Sequence, residues 1–308
     1  MTLWLRLGRF LWKIGALFDI IYFRYLNLIL ERKFLNMKPV SISEKMMFNT
    51  VRLVASDNSS GTGFFYNFNI DDKIVPVIIT NKHVVRYNQN ETMQFFLHLT
   101  NGENESNENY QVTLSTNWIF HSNKDLCFCF VNPVFEHVKE QTGKDVFYVA
   151  IDDTILPTQS MLEDLSALEE LVMVGYPIGM WDKKNNFPIF RKGYTSSHPA
   201  IDFNEAGIGL VDMACFPGSS GSPIYILNEG GYKDKRGNWN LGNSRIIFIG
   251  TLFAGPQYDA TGDLIVKNIP TVQQRIETHT GIMANLGYYI KASEIFEFKN
   301  YIKAILSK

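Results

Sequence analysis

The chain has 308 residues, of which 45% are hydrophobic, 14% aromatic and 19% charged. This is a globular composition with room for one large or two small domains around a packed core. A net charge of −2 gives no electrostatic basis for binding nucleic acid. Three cysteines, Cys127, Cys129 and Cys215, are too few for a disulfide framework and read as reduced core thiols. No CxxC or HExxH pattern implies a metal, and nothing implies another cofactor.

Residues 1–40 stand apart. Leu, Trp, Phe, Ile and Tyr are dense there, and Arg6, Arg9, Lys13 and Arg24 recur at spacings close to whole helical turns, which predicts a cationic amphipathic helix. Its longest uncharged run is well short of the ~20 residues that a span needs, and no cleavable signal is evident. Three readings stay open for it: lying in a membrane interface, docking on the protein's own body or on a partner, or spanning a bilayer. The expected location is cytoplasmic, with peripheral membrane attachment if the first reading holds.

From about Thr50 the hydrophobic period changes to two. Short β-rich runs at 50–55, 63–68, 74–80, 93–99, 110–114 and 126–131 follow one another without an amphipathic helix between them, and they predict an antiparallel barrel or sandwich. The polar segment 101–109 reads as a hairpin loop. A leucine spacing of three over 161–171 predicts a helical connector. Strand patterns then resume at 171–175, 189–194, 208–213, 222–227, 246–253 and 286–290. The chain closes with a helix over 293–306, whose stripe of Ile295, Phe296, Phe298, Tyr301, Ile302 and Ile305 is expected to pack on the second set of strands. The organisation expected is 1–40 helix, 41–140 first barrel, 141–292 second barrel and 293–308 terminal helix.

Candidate chemistry centres on Phe216-Pro217-Gly218-Ser219-Ser220-Gly221-Ser222-Pro223. Glycines around small hydroxyl residues put a serine on a tight turn where backbone N–H groups can gather, as a nucleophile beside an oxyanion hole requires; an ordinary hairpin has the same composition. His83 ends an apolar strand and Asp125 opens another, either of which could be a structural residue by itself. Together they stand in the order His, Asp, Ser, with Asp125 following His83 by 42 positions and Ser220 following Asp125 by 95.

With Gly61-Thr62-Gly63-Phe64-Phe65, Thr80-Asn81-Lys82-His83-Val84-Val85, Asp125-Leu126, Gly175-Tyr176-Pro177 and the serine loop in place, residues 45–292 resemble the trypsin/chymotrypsin-like serine peptidases. The resemblance is nearest to the disulfide-free bacterial HtrA-like members. It implies an all-β fold of two six-stranded antiparallel barrels and cleavage of a polypeptide substrate through an acyl-enzyme. In that scheme Ser220 is the nucleophile, His83 the base, Asp125 its orienting carboxylate, and the N–H groups of Gly218 and Ser220 the oxyanion hole. A primary pocket would be lined by Ala214, Cys215, Phe216, Phe253, Ala254 and Gly255. With no acid at Ala214, it would favour small or hydrophobic residues over Lys or Arg, with 256–281 overhanging it.

Two departures qualify the resemblance. Ser219 replaces the aspartate that captures a freed N-terminus in digestive relatives, and no matching cleavage site precedes the first strand, so activation by N-terminal cutting is not expected. Phe253 occupies a position where relatives often carry a small polar residue supporting the aspartate, so Asp125 needs another partner. A catalytically silent scaffold that binds peptides or partner proteins, and an esterase using the same three residues, are the alternatives.

Overall fold

The computed structural model describes residues 38–100, 108–263 and 277–307. The expected N-terminal helix therefore lies outside the described residues except at its last positions, as do most of loop 101–109 and the middle of 256–281.

A capping box on Ser41 and Glu44 starts α1 (Ile42–Met47), whose C-terminal end leads into the first sheet. Strands β1 (Thr50–Val54), β2 (Ser60–Ile70), β3 (Lys73–Thr80), β4 (Thr92–Thr100), β5 (Glu108–Ser115), β6 (Ile119–Phe120) and β7 (Cys127–Phe130) pair in the order β5-β4-β1-β2-β3-β7-β6. After α2 (Asn132–Thr142), the short β8 (Asp145–Phe147) joins β4 and β9 (Ile151–Asp152) joins β2, making nine strands. All six strands expected in this half are present, but their pairing does not close into the expected six-stranded barrel. The last strand in the path, β6, has only two residues and bonds only to β7, too little backbone to reach across to β5.

The expected connector helix is much shorter than 161–171. Only α3 (Gln159–Glu163) forms; Leu165 is buried, Leu168 is exposed, and Leu171 already lies in a strand. Beyond it come β10 (Glu170–Gly175), β11 (Ile189–Thr195), β12 (Ile208–Asp212), β13 (Pro223–Asn228), β14 (Gly231–Lys233), β15 (Trp239–Leu241), β16 (Arg245–Ala254), β17 (Gln257–Asp263), β18 (Glu277–Met283) and β19 (Leu286–Lys291). Six of them close a barrel in the order β10-β11-β12-β19-β16-β13, while β14-β15 and β17-β18 are separate hairpins. These six are the strands read from the sequence.

Period-two patterning explains how the halves join. Along β2, Phe64, Tyr66, Phe68 and Ile70 face one cluster and Phe65 the other; along β3, Val77 and Ile79 separate from Ile78 in the same way. On β10, Val172 and Val174 join the cluster of Phe64 and Tyr66, whereas Leu171 and Met173 fill the barrel interior. Both faces of these strands are thus apolar because one face packs within its own half and the other against its neighbour.

The terminal helix α4 (Ile295–Leu306) sets Ile295, Phe298 and Ile302 into that shared cluster. It also reaches the first sheet, beyond the expected packing on the second set of strands. Phe298 meets Phe128 at 4.8 Å between ring centres, Lys299 pairs with Asp153, and Glu297 accepts from both the N–H and the hydroxyl of Ser122. Tyr301 and Ile305 of the expected stripe stay largely exposed.

Candidate active site

Strands β3 and β7 run antiparallel with Thr80 opposite Cys127. His83 therefore leaves the ladder three residues after Thr80, and Asp125 enters two residues before Cys127, at the same end. Asp125 engages His83 twice. Its Oδ2 lies 2.5 Å from His83 Nδ1, and its Oδ1 accepts the backbone N–H of His83 at 3.1 Å. A carboxylate has acceptors only, so Nδ1 carries the ring proton in the neutral imidazole and Nε2 is left as an acceptor. Asn81, fully buried, donates to the Asp125 carbonyl at 2.7 Å. The partner that the sequence withheld from Asp125 is the histidine's own backbone; Phe253 instead packs beside Tyr288.

The serine loop links β12 to β13. Gly218 and Gly221 hold φ of +83° and +84°, and a Cβ on Gly221 would stand 1.9 Å from the Thr62 carbonyl oxygen. Only glycine suits such positions. Ser219 N–H bonds to Phe216 O, Gly221 N–H to Leu252 O, and Ser222 N–H to Ser219 O. The N–H groups of Gly218 and Ser220 have no such partner among the described residues, so the two expected oxyanion donors are the unspent ones.

Thr62 ties this loop to the histidine end of the first sheet. Its N–H donates to Ser220 O at 2.9 Å, and its carbonyl accepts from Thr80 Oγ1 at 2.7 Å. Its hydroxyl donates to Gly218 O at 3.2 Å and accepts from Tyr176 N–H at 3.1 Å and from Ser222 Oγ at 3.3 Å. One donor and two acceptors are the full capacity of a hydroxyl, and all are used. Ile178, a β-branched residue held at φ +52°, donates its N–H to Pro217 O at 2.6 Å and buttresses the loop from the other side. The hydrogen bonds of the site do not include one from Ser220 Oγ to His83 among the described residues.

The expected pocket residues divide. Ala214 is half-buried and Phe216 exposed at the loop's entry, while Phe253 and Ala254 end the strand whose Leu252 bonds the loop backbone, and Gly255 follows directly after it. Cys215 turns into the barrel interior with Val211 and Leu252, and burial pushes its thiol up to about 12. The other cysteines are likewise free, buried and raised by burial. A residue that the sequence reading did not single out completes the neighbourhood. Arg191 on β11 donates through Nη1 to Ala214 O at 3.0 Å and to Ser219 Oγ at 2.5 Å. Its signal was a lone cation at inward parity: it is paired across the ladder with the buried Met173, while its neighbours Phe190 and Lys192 face solvent.

No helix among the described residues is long and apolar enough to cross a membrane, and no metal-binding cluster occurs among them. No curated protein matches the chain. Among solved structures, it is similar to the scabies mite inactivated protease paralogue S-I1, at 10% identity over 86% of this chain and 97% of that one with a TM-score of 0.42. It is also similar to the thermostable serine protease AL20 from an extremophilic microorganism, at 13% identity over 85% and 99% with a TM-score of 0.42. The family model of the trypsin-like peptidase domain matches residues 61–231, more than half of the chain and the whole stretch from Thr62 through His83 and Asp125 to the serine loop. The chain belongs to the trypsin-like peptidase domain family.

Proposed function

We propose that the protein is a serine endopeptidase working through an acyl-enzyme on Ser220. The observation that carries this reading is the double engagement of His83 by Asp125, which orients the ring and reserves Nε2 as a proton acceptor. Ser220 Oγ attacks the scissile carbonyl carbon while Nε2 takes its proton, and the imidazolium so formed is stabilised by Asp125. The carbonyl oxygen, now negative, is received by the N–H groups of Gly218 and Ser220; one such donor typically contributes about 3–4 kcal/mol. As the tetrahedral intermediate collapses, the C–N bond breaks and His83 returns the proton to the leaving amine. Water, deprotonated by the same Nε2, then releases the acyl group and restores Ser220.

A fluorophosphonate probe tests this directly. The parent should label and Ser220→Ala should not, with turnover reduced by about 10⁴–10⁶-fold; an unlabelled parent, with membranes or detergent also tried, removes the reading. The second reading, a catalytically silent scaffold binding peptides or partners, rests on the missing Ser220–His83 hydrogen bond. Such bonds are often long without substrate and tighten in the complex, so labelling decides between the two. Peptide against ester turnover separates a peptidase from an esterase.

Cleavage after small or hydrophobic uncharged residues is proposed on two grounds. Ala214 brings no acid to the pocket base, and the guanidinium of Arg191 stands on its carbonyl with no carboxylate partner among the described residues, an environment that repels a substrate cation. A peptide library should show Lys and Arg depleted at the cleaved position; a profile dominated by either contradicts the assignment. Association with a membrane surface or a partner protein through residues 1–36, and a cytoplasmic location, remain part of the proposal. Deleting those residues should abolish flotation with vesicles if they lie in an interface.

A further inference from the structure

Arg191 is an expensive residue to bury in a barrel. Its Nε and Nη2 are shut off from solvent and have no hydrogen-bond partner among the described residues, and no ion pair reaches it among them. Burial draws its pKa down to about 10, which still leaves it cationic at neutral pH. The titratable group that acts on it electrostatically is the Cys215 thiol, itself kept neutral by burial. A cation in this state is normally selected against unless it does something that an apolar side chain could not.

Its one engaged nitrogen points to what that is. Nη1 bonds simultaneously to Ala214 O and Ser219 Oγ, the two ends of the segment that carries Gly218 and leads into Ser220. Ser219 is fully buried, and its own N–H and carbonyl close the turns on either side, to Phe216 O and from Ser222 N–H. A charge-assisted bond shared by both ends fixes the span between them, and with it the left-handed Gly218 whose N–H must face the oxyanion.

We propose that Arg191 is a positioning residue for the oxyanion-forming segment, a cation anchored in the barrel wall that holds residues 214–219 in their competent conformation from within. The serine at 219 is then an acceptor for an internal guanidinium, and the segment needs no charge delivered by a freed chain terminus. This rests on the peptidase reading only for its catalytic consequence; the clamp itself is a statement about the segment's order.

The test compares the parent with Arg191→Met, Arg191→Lys and Ser219→Ala by amide hydrogen exchange, thermal midpoint and peptide turnover. Arg191→Met should speed exchange of amides 216–221 by about tenfold or more while the remaining barrel amides keep their rates. Its midpoint should hold or rise, because an unpaired buried charge is removed. Turnover should fall about 10–100-fold through kcat with KM little changed, and Arg191→Lys should recover part of both losses. Should Arg191→Met not fold, Ser219→Ala, which removes one acceptor and leaves the guanidinium, should show the same local loosening to a smaller degree. Unchanged exchange over 216–221, or loosening spread evenly through the barrel, overturns the clamp whatever the activity. Local loosening in a protein whose parent never labels with fluorophosphonate upholds the clamp and removes only the peptidase reading.

Discussion

Thr62 shows how much of the site depends on residues with no chemistry of their own. A single hydroxyl serves Gly218 O, Tyr176 N–H and Ser222 Oγ, and the same residue's backbone holds Ser220 O and Thr80 Oγ1. Thr62→Val keeps the shape and removes the donor, leaving buried polar groups without a partner. The expected cost is about 1–3 kcal/mol of stability, read from the urea midpoint, together with a drop in kcat, and Thr62→Ser should restore most of both. A variant with the parent's midpoint and turnover would mean that the hydroxyl is dispensable. At this scale His83, Asp125 and Ser220 stood out through the motifs that carry them, with roles that the resemblance implies, and the structure brings His83 and Asp125 together. Thr62 lay inside a quoted motif with its role unread, since a hydroxyl that bridges two halves looks in sequence like any strand threonine. Arg191 was legible only as a charge at inward parity. What it contacts depends on how β11 stands against the serine loop.

Among the elements, alternation of apolar residues was a dependable guide to strands, because each buries one face on its own half and many bury the other on the shared cluster. All twelve strands expected are found, most within one or two residues at their ends. Helices fared differently. The leucines at 162, 165, 168 and 171 have a helical spacing, yet the chain turns into β10 once Leu171 and Met173 can fill the barrel, so tertiary burial overrode the local period. Helix α2 was not anticipated, although Pro133 in its first turn and Gly143 at φ +72° after its end are ordinary start and stop signals. The terminal helix was correctly expected, but its docking was foreseen only in part, since it lies in the cluster shared by both halves. Its stripe announces a buried face, but a stripe does not name its neighbour; the ion pair of Lys299 with Asp153 and the bonds of Glu297 to Ser122 do.

The whole molecule also carries a dependence on acidity that no motif reveals. His98 on β4 is buried against Phe48 and Phe187, at 4.8 and 5.5 Å between ring centres, and desolvation lowers its pKa from 6.5 to about 4. Below pH 6.5 the unfolded chain takes up a proton there that the folded protein refuses until about pH 4. Stability should thus decline as the pH falls through that window and level off beneath it, with a ceiling of about 3 kcal/mol for this residue. Denaturation midpoints measured from pH 8 to pH 4 should show a shallower slope for His98→Phe than for the parent; parallel slopes would remove His98 as a contributor.

By itself the sequence determined the strand content and the burial of the thiols, and its motifs, through the resemblance they carry, pointed to a second barrel and to the three residues on which the proposed chemistry turns. Strand content and burial follow from the hydrophobic period, a local property, whereas the barrel and the three roles are what the motifs' resemblance to the trypsin-like peptidases implies. Only the tertiary structure decided that the first half is an open nine-stranded sheet, that α4 reaches that sheet, that Asp125 finds its second partner in the backbone of His83, and that Arg191 stands on both ends of the serine loop. Each of these is a contact between segments far apart in sequence. Such contacts are set by how strand ends, edges and barrel walls meet in space, and periodicity along one strand carries no record of what will face it.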